Sequence, residues 1–333
     1  MKKLPVIINN FNRYAPLKAL VAWLLDSPDD IEIVIIDNHS TYPKTLRLYE
    51  HLRKKVDIQY LKHNVGHLAP RIYVESKLAK DERFIVSDPD LVPHESCPRD
   101  IVSLLNELMD TYSANKVGAG LGLDDIPDCY PFKKQVIRWE RSLSRGLAPC
   151  GKAEYFQIDT TFALYRDKSF FGKADEKSLR ACAPYIFRHV DWYIDPLKLG
   201  EEYEYYLNTG NSSSSYGGRV KRYFEFNNLL NTYRGEHNDE KILSLLKRGV
   251  FELTFHDYKL NLQIRFGDDG EGLLEGKVFA GFFDYELISG KALAMQFYGG
   301  NYSRALLNFS DESFESFEGV SDYNCHITGK IIS

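Results

Sequence analysis

Two periodicities alternate along the first quarter of the chain. Pro5–Asn9 (PVIIN) is a short β-branched run with polar residues after it, which predicts a buried strand. Leu17, Leu20, Val21 and Leu24 then recur at helical spacing within Pro16–Leu25, and Pro16 suits a first helical turn. Ile31–Ile36 predicts a second strand, Thr45–Leu52 a helix and Ile58–Leu61 a third strand, followed by a helix that runs to about Ala79. Arg83–Ser87 predicts a fourth strand. Strands alternating with helices form βαβ units, and these build parallel sheets. The expected fold class is therefore α/β, a Rossmann-like, mostly parallel sheet flanked by helices.

The pattern changes twice more. Between Arg99 and Tyr206 it is mixed: Ile101–Met109 predicts a helix, and Lys116–Leu123 and Gln157–Tyr165 predict strands. Asn208–Gly218 (NTGNSSSSYGG) is small and polar, as in a loop, and Arg219–Leu230 has weak helical spacing. From Lys247 onward, apolar and polar residues alternate between Gly- and Asp-rich turns, which predicts a small antiparallel β domain. The expected organisation is an α/β domain over residues 1–235 and a β-rich accessory domain over residues 247–333.

Composition mainly excludes. With 333 residues, 44% hydrophobic and 27% charged, the chain can bury a core without disulfide or metal staples. A net charge of −5 argues against a sequence-independent grip on nucleic acid. The five cysteines (Cys97, Cys129, Cys150, Cys182 and Cys325) are scattered, which argues against a disulfide framework or a structural zinc site. The N-terminal apolar stretch is too short for a signal core, and no later run is long enough to span a membrane. A cytoplasmic protein is expected, with peripheral membrane contact left open. The P-loop, dinucleotide, zinc-hydrolase and nucleophile-elbow motifs are all missing from the sequence.

Candidate chemistry gathers at the carboxyl ends of the first four strands, at Asn10, Asp37, Asn64 and Asp88. Open α/β sheets bind ligands along that edge. Asp88-Pro89-Asp90 is the sharpest motif. In an extended segment, residues i and i+2 point to one side, and Pro89 disfavours helix at Asp88. Two converging carboxylates are costly unless a cation lies between them or one takes a proton. A hard ion, Mg²⁺ or Mn²⁺, satisfies both and leaves positions for phosphate oxygens. Alone, such a motif is more often a turn with a capping aspartate.

In context, the chain resembles the family 2-type glycosyltransferases of the GT-A fold. Asn9-Asn10-Phe11-Asn12-Arg13 stands where that family has Pro-Thr-Tyr-Asn-Arg, with Asn9 and Asn10 as departures. Asp37 in IDNHS matches the aspartate that holds the nucleotide base, and Asn64, Gly66 and Arg71 match an Asn-x-Gly turn with a basic residue near the phosphates. Asp88 and Asp90 match the D-x-D motif. Asp159–Arg166 and His189–Tyr193 look like segments of a bacterial branch of these enzymes.

The resemblance implies a nucleotide-sugar donor, with uracil the expected base, and a glycan or glycolipid acceptor. It also implies a metal on Asp88 and Asp90, with His189 as candidate third ligand, and inversion assisted by a carboxylate base. Asp159 is the first choice for that base and Asp191 the second. Trp192, Tyr193 and Arg138-Trp139-Glu140 could face the acceptor, though core packing and an ordinary helix face explain them as well. Two other classes compete. A nucleotidyltransferase making nucleotide-sugars would need a glycine-rich loop where NNFNRYAPLK stands. A non-catalytic sugar-binding protein would not need the intact D-P-D.

Overall fold

The computed structural model describes residues 3–158, 162–173, 177–210, 226, 229–230, 232–235, 239–268, 270–276, 280–298, 304–311 and 313–333. The chain divides into two compact units, Met1–Arg219 and Val220–Ser333.

In the first unit, β1 (Leu4–Asn10), β2 (Ile31–Asp37), β3 (Asp57–Tyr60) and β4 (Phe84–Ser87) alternate with α1 (Ala15–Leu25), α2 (Pro43–Leu52) and α3 (Ala69–Lys77). The remaining elements are β5 (Leu91–Pro93), α4 (Ile101–Thr111), β6 (Lys116–Gly118), β7 (Gly120–Leu121), α5 (Lys133–Ser142), β8 (Ser144–Leu147), β9 (Ala153–Phe156), β10 (Ala163–Tyr165), β11 (Ser178–Ala181), β12 (Ile186–His189) and α6 (Glu201–Thr209). Nine strands form one sheet in the order β3-β2-β1-β4-β10-β6-β11-β9-β8. Its first four strands are parallel, and their register sets Asn10 beside Asp37. Val6, Ile7, Ile8, Val34, Ile35 and Ile36 are all buried, as continuous apolar runs must be when helices cover both faces. The α1 stripe read from the sequence, Leu17, Leu20, Val21 and Leu24, is buried.

A second, three-stranded sheet has the order β5-β12-β7. The order within the two sheets explains two departures from the sequence reading. Lys116–Leu123 is not one strand, because the chain passes from the large sheet to the small one at Ala119. Gly120 permits this: a Cβ there would lie 2.6 Å from the Ala181 carbonyl oxygen and 2.7 Å from Ile186. Gln157–Tyr165 is not one strand either. β9 pairs with β11, whereas β10 lies between β4 and β6, so one straight segment cannot serve both places. Asp159, Thr160 and Thr161 lie outside the described residues, as do residues 211–218 of the polar loop and most of the segment read as a helix over Arg219–Leu230.

The second unit contains α7 (Asp239–Leu246) and eight antiparallel strands, β13 (Val250–Phe255), β14 (Leu260–Phe266), β15 (Glu271–Glu275), β16 (Ala280–Ser289), β17 (Ala292–Tyr298), β18 (Arg304–Phe309), β19 (Ser316–Ser321) and β20 (His326–Ile331). They close into a barrel. Alternate residues fill it: Phe251, Leu253 and Phe255 from β13, Leu262, Ile264 and Phe266 from β14, and Leu293, Met295 and Phe297 from β17. Ile242 and Leu246 of α7 join that core. On the outer face, Phe226 and Leu230 pack with Ile288, Ala292, Ala294 and Leu306. The antiparallel pattern was legible in the sequence; closure was not, since it depends on β13 pairing with β20 across the whole domain. The five cysteines are free, and among the described residues no helix is long and apolar enough to cross a membrane.

Candidate active site

The carboxyl edge of the parallel strands is built by side chains that tie the strand ends together. Asn10 donates through Nδ2 to the Tyr49 hydroxyl at 2.7 Å, and that hydroxyl donates to Asp37 Oδ1 at 2.9 Å. The Ser40 amide also points to Asp37, at 3.2 Å from Oδ1. Asp37 thus holds the loop after β2, yet a carboxylate has lone pairs left for a further donor. Asn12 adopts a φ of 55° and accepts from the amides of Thr41 and Tyr42 through Oδ1, at 2.7 and 2.8 Å. Asn38 bridges to the next loop, accepting from the Val65 amide at 2.8 Å and donating to the Gly66 carbonyl at 2.9 Å. Asn64 Oδ1 accepts from the Gly66 amide at 2.9 Å, closing the Asn-x-Gly turn, in which Gly66 has a φ of 65°.

Asp90 lies in the turn between β4 and β5. The chain turns at Pro89 and Asp90 instead of running extended, because β4 belongs to the large sheet and β5 to the small one. The same-side argument for Asp88 and Asp90 therefore fails. Asp88 is half-buried just past β4, and the turn carries Asp90 inward until it is 8% exposed. Its Oδ2 lies 3.6 Å from His189 Nδ1, and its Oδ1 is buried without a hydrogen-bond partner. Burial, the largest cause, pushes the Asp90 carboxyl above its ordinary range. His189 pulls it back, Asp191 raises it further and Arg13 lowers it.

Around Asp90 stands a buried ion pair. Arg13 Nη2 lies 2.7 Å from Asp191 Oδ1, and both side chains are almost fully buried. The guanidinium sits over the rings of Tyr203 and Tyr206, at 5.1 and 4.9 Å from their centroids. The Tyr203 hydroxyl is 3.4 Å from Asp191 Oδ2. Glu202, also on α6, accepts from the amides of Tyr14 and Ala15 at 2.9 and 3.0 Å, so a carboxylate caps the amino end of α1. Residues from the segments that follow β1, β4 and β12, and from α6, thus meet at one place. Residues 6–171 match the family model described as Glycosyl transferase family 2.

The α/β unit belongs to glycosyl transferase family 2.

Among solved structures, the transferase is similar to S. aureus TarS 1–349, at 12% identity over 73% of this chain and 78% of that one, with a TM-score of 0.39. It is also similar to the mannosyltransferase PcManGT from Pyrobaculum calidifontis in complex with GDP-Man and Mn²⁺, at 12% identity over 63% of this chain and 65% of that one, TM-score 0.39. A third is glucosyl-3-phosphoglycerate synthase from Mycobacterium tuberculosis, at 12% identity over 50% of this chain and 57% of that one, TM-score 0.33. No curated protein sequence matches it significantly.

The structure brings Asn10, Asp37, Asn64, Asp90, His189 and Asp191 of the transferase to this edge, with Asp88 at the end of β4. Arg71 is exposed on α3, its guanidinium on the side of Gly172. His189 faces Asp90 and also stacks on Trp192, with ring centroids 4.8 Å apart. Trp192 is buried, and the Tyr193 hydroxyl bonds to Asp125. Asp128 pairs with Lys133 on the surface. Arg13, Asn38, Glu202, Tyr203 and Tyr206 were not singled out as site residues. Arg13 stands in the motif that carried the resemblance, but nothing in its neighbours along the chain tells that Asp191 will meet it.

Asp88 and Asp90 fit a hard divalent ion by donor type, and the unpartnered Oδ1 of Asp90 is the kind of atom such an ion satisfies. Among the described residues, no three His, Cys, Asp or Glu side chains gather closely enough to enclose an ion. An ion held here would complete its shell with phosphate oxygens and water, as Mg²⁺ and Mn²⁺ do in phosphate sites.

Proposed function

We propose that the protein transfers a sugar from a nucleotide-sugar donor, UDP-linked, to a hydroxyl of a glycan or glycolipid, with inversion at the anomeric carbon. The observation that carries this is the buried Asp90 carboxylate with a free Oδ1, beside Arg13, Asp191 and His189 at the edge where this sheet class binds its ligands. Asp88 and Asp90 are the residues that would hold Mg²⁺ or Mn²⁺, which when bound neutralises charge growing on the departing diphosphate. Asp37, Asn10 and Asn64 shape the nucleoside end of the cleft. Arg71, on the helix after the Asn-x-Gly turn, supplies positive charge near the diphosphate.

Inversion needs a base on the face of the sugar opposite the leaving group. Asp191 already commits one oxygen to Arg13 and the other to Tyr203. Asp159 is therefore the preferred base, and Asp191 is assigned to holding Arg13. Calorimetry tests the donor half: UDP should bind in the presence of Mn²⁺ and lose most of its affinity in EDTA. Equal binding in both would defeat the proposal. Asp90→Ala should reduce transfer by more than roughly a hundredfold, the scale expected when a metal supplies several kcal/mol.

A further inference from the structure

One helix of the α/β unit carries an excess of positive charge on its outer side. Between Lys133 and Arg145 the sequence holds five cations, Lys133, Lys134, Arg138, Arg141 and Arg145, and one carboxylate, Glu140, in a chain whose net charge is −5. That carboxylate is buried and paired with Arg180. α5 buries Gln135, Val136 and Glu140 and exposes Lys134, Trp139, Arg141 and Ser142. Lys134, Arg138 and Arg141 recur at i, i+4 and i+7, so one stripe of the helix is cationic. Lys133, on its flank, pairs with Asp128. Among the described residues, no carboxylate pairs with Arg141 or Arg145.

Apolar surface lies within the same stretch. Trp139, which the sequence offered as a residue facing the acceptor, is 47% exposed. Leu143 alone separates α5 from β8, and Arg145, Gly146 and Leu147 of β8 are all exposed. At 66%, Leu147 is the most exposed large hydrophobic side chain among the described residues. β8 is the last strand of the nine-stranded sheet, so among the described residues no strand lies beyond it. Cations and exposed apolar side chains thus follow one another along a continuous stretch at the sheet's edge.

The mixture selects the partner. Phosphates of lipid headgroups meet ammonium and guanidinium groups, and the interfacial layer just beneath them covers indole and leucine side chains. A nucleic acid strand would meet the cations and stack a base on Trp139, but it has nothing to offer Leu147. We propose that α5 and β8 form a docking surface for an anionic lipid bilayer, with Lys134, Arg141 and Arg145 against the headgroups and Trp139 and Leu147 in the interface. Docking there does not depend on the glycosyltransferase function proposed above: vesicle binding and UDP binding can each be lost without the other.

The test is co-sedimentation of the full chain with vesicles of phosphatidylcholine alone and of equal parts phosphatidylcholine and phosphatidylglycerol, run beside calorimetry of UDP with Mn²⁺. The protein should sediment with the anionic vesicles, ignore the neutral ones and be released by high salt. Binding should fall by about tenfold or more in the double variant Arg141→Gln with Arg145→Gln, since each cation near an anionic surface is worth about fivefold. Trp139→Ser should lose about fivefold or more, through apolar area it no longer covers. Trp139 is far more exposed than Trp192, at 47% against 2%, so brominated lipid in the vesicles should quench wild-type emission and have much less effect on Trp139→Phe, which keeps a ring at the surface. UDP binding should be unchanged in all three variants. The docking surface is overturned if anionic vesicles do not capture the protein, if neutral ones capture it equally, if the double variant binds as wild type does, or if Trp139→Phe is quenched as strongly as wild type. Tighter binding to heparin or to a single-stranded oligonucleotide than to the anionic vesicles would also overturn it. Absence of UDP binding alongside intact vesicle binding would count against the donor half alone.

Discussion

The two units bury very different things. Among the described residues, the barrel's buried polar and charged side chains reduce to Ser321, whereas the α/β unit buries Asn10, Asn12, Arg13, Asp37, Asp90, Glu140, Arg180 and Asp191 among others. The barrel interior is a set of phenylalanines and branched aliphatics in which rings pack edge to face, such as Phe251 with Phe266 and Phe266 with Phe283. Such a core is stabilised by area and fit. The edge of the α/β unit is held by buried charges such as the Arg13–Asp191 pair, and at Asp90 the partnering is incomplete. Fully buried polar and charged residues thus gather in the first unit, the one that carries the candidate active site.

The sharpest way to break the comparison is to strand one of those charges. All three tryptophans, Trp23, Trp139 and Trp192, belong to the α/β unit, so tryptophan fluorescence follows that unit alone. Arg13→Met leaves Asp191 buried with only the Tyr203 hydroxyl beside it. It should cost the fluorescence-detected transition about 3–5 kcal/mol in urea, the scale for breaking a buried pair. Adding Asp191→Asn should recover much of that loss, since no uncompensated charge then remains. A loss below the error of the fit would mean that the pair is held loosely enough for water to reach it.

A smaller effect is expected from a purely steric change in the barrel. A Cβ added at Gly329 of β20 would lie 1.9 Å from the ring of Phe317, and one added at Gly272 would lie 2.2 Å from Phe283. The rings lie across glycines, an arrangement that fills a barrel interior at a tight bend. Gly329→Ala should therefore cost about 1–3 kcal/mol through overpacking. Near-ultraviolet circular dichroism of the tyrosines and phenylalanines should report that loss while the tryptophan transition stays in place. If both transitions move together, the units unfold as one and the comparison applies only to the native state.

How much of this was legible beforehand follows from the range of each interaction. The strands β1 to β4 and helices α1 to α3 declare themselves because periodicity is local. Asp37, Asn64 and Asp88 stand out as candidates for the same reason: Asp37 ends β2, Asp88 follows β4 directly and Asn64 lies in the loop just past β3. The Asp90 environment was misjudged because it depends on a change of sheet at Pro89, and that change is set by β12, almost a hundred residues downstream. The Arg13–Asp191 pair, the Glu202 cap on α1 and the Arg180–Glu140 pair all join distant segments, and no spacing rule reports them. Barrel closure failed to show for the same reason, whereas its alternating strands were plain.

The smallest predicted effect concerns Asp90 itself, and its sign separates a structural carboxylate from one kept for a ligand. Burial raises the Asp90 pKa in the folded chain above its value in the unfolded chain. Between those two values the folded state holds more protons than the unfolded state, so stability falls as pH rises through that window. Above that window and without metal, the ionised carboxylate is a net cost that Asp90→Asn removes. In EDTA, the advantage of the variant over wild type in the urea-unfolding midpoint, read by fluorescence, should grow as pH rises through that window and fade as pH is lowered and Asp90 takes up its proton. With Mn²⁺ and UDP present, the order should reverse, because only the wild type gains the stabilisation of a bound ligand. A variant less stable than wild type in EDTA would show that Asp90 is satisfied by the protein alone, and the strongest reason for placing a cation beside it would be gone.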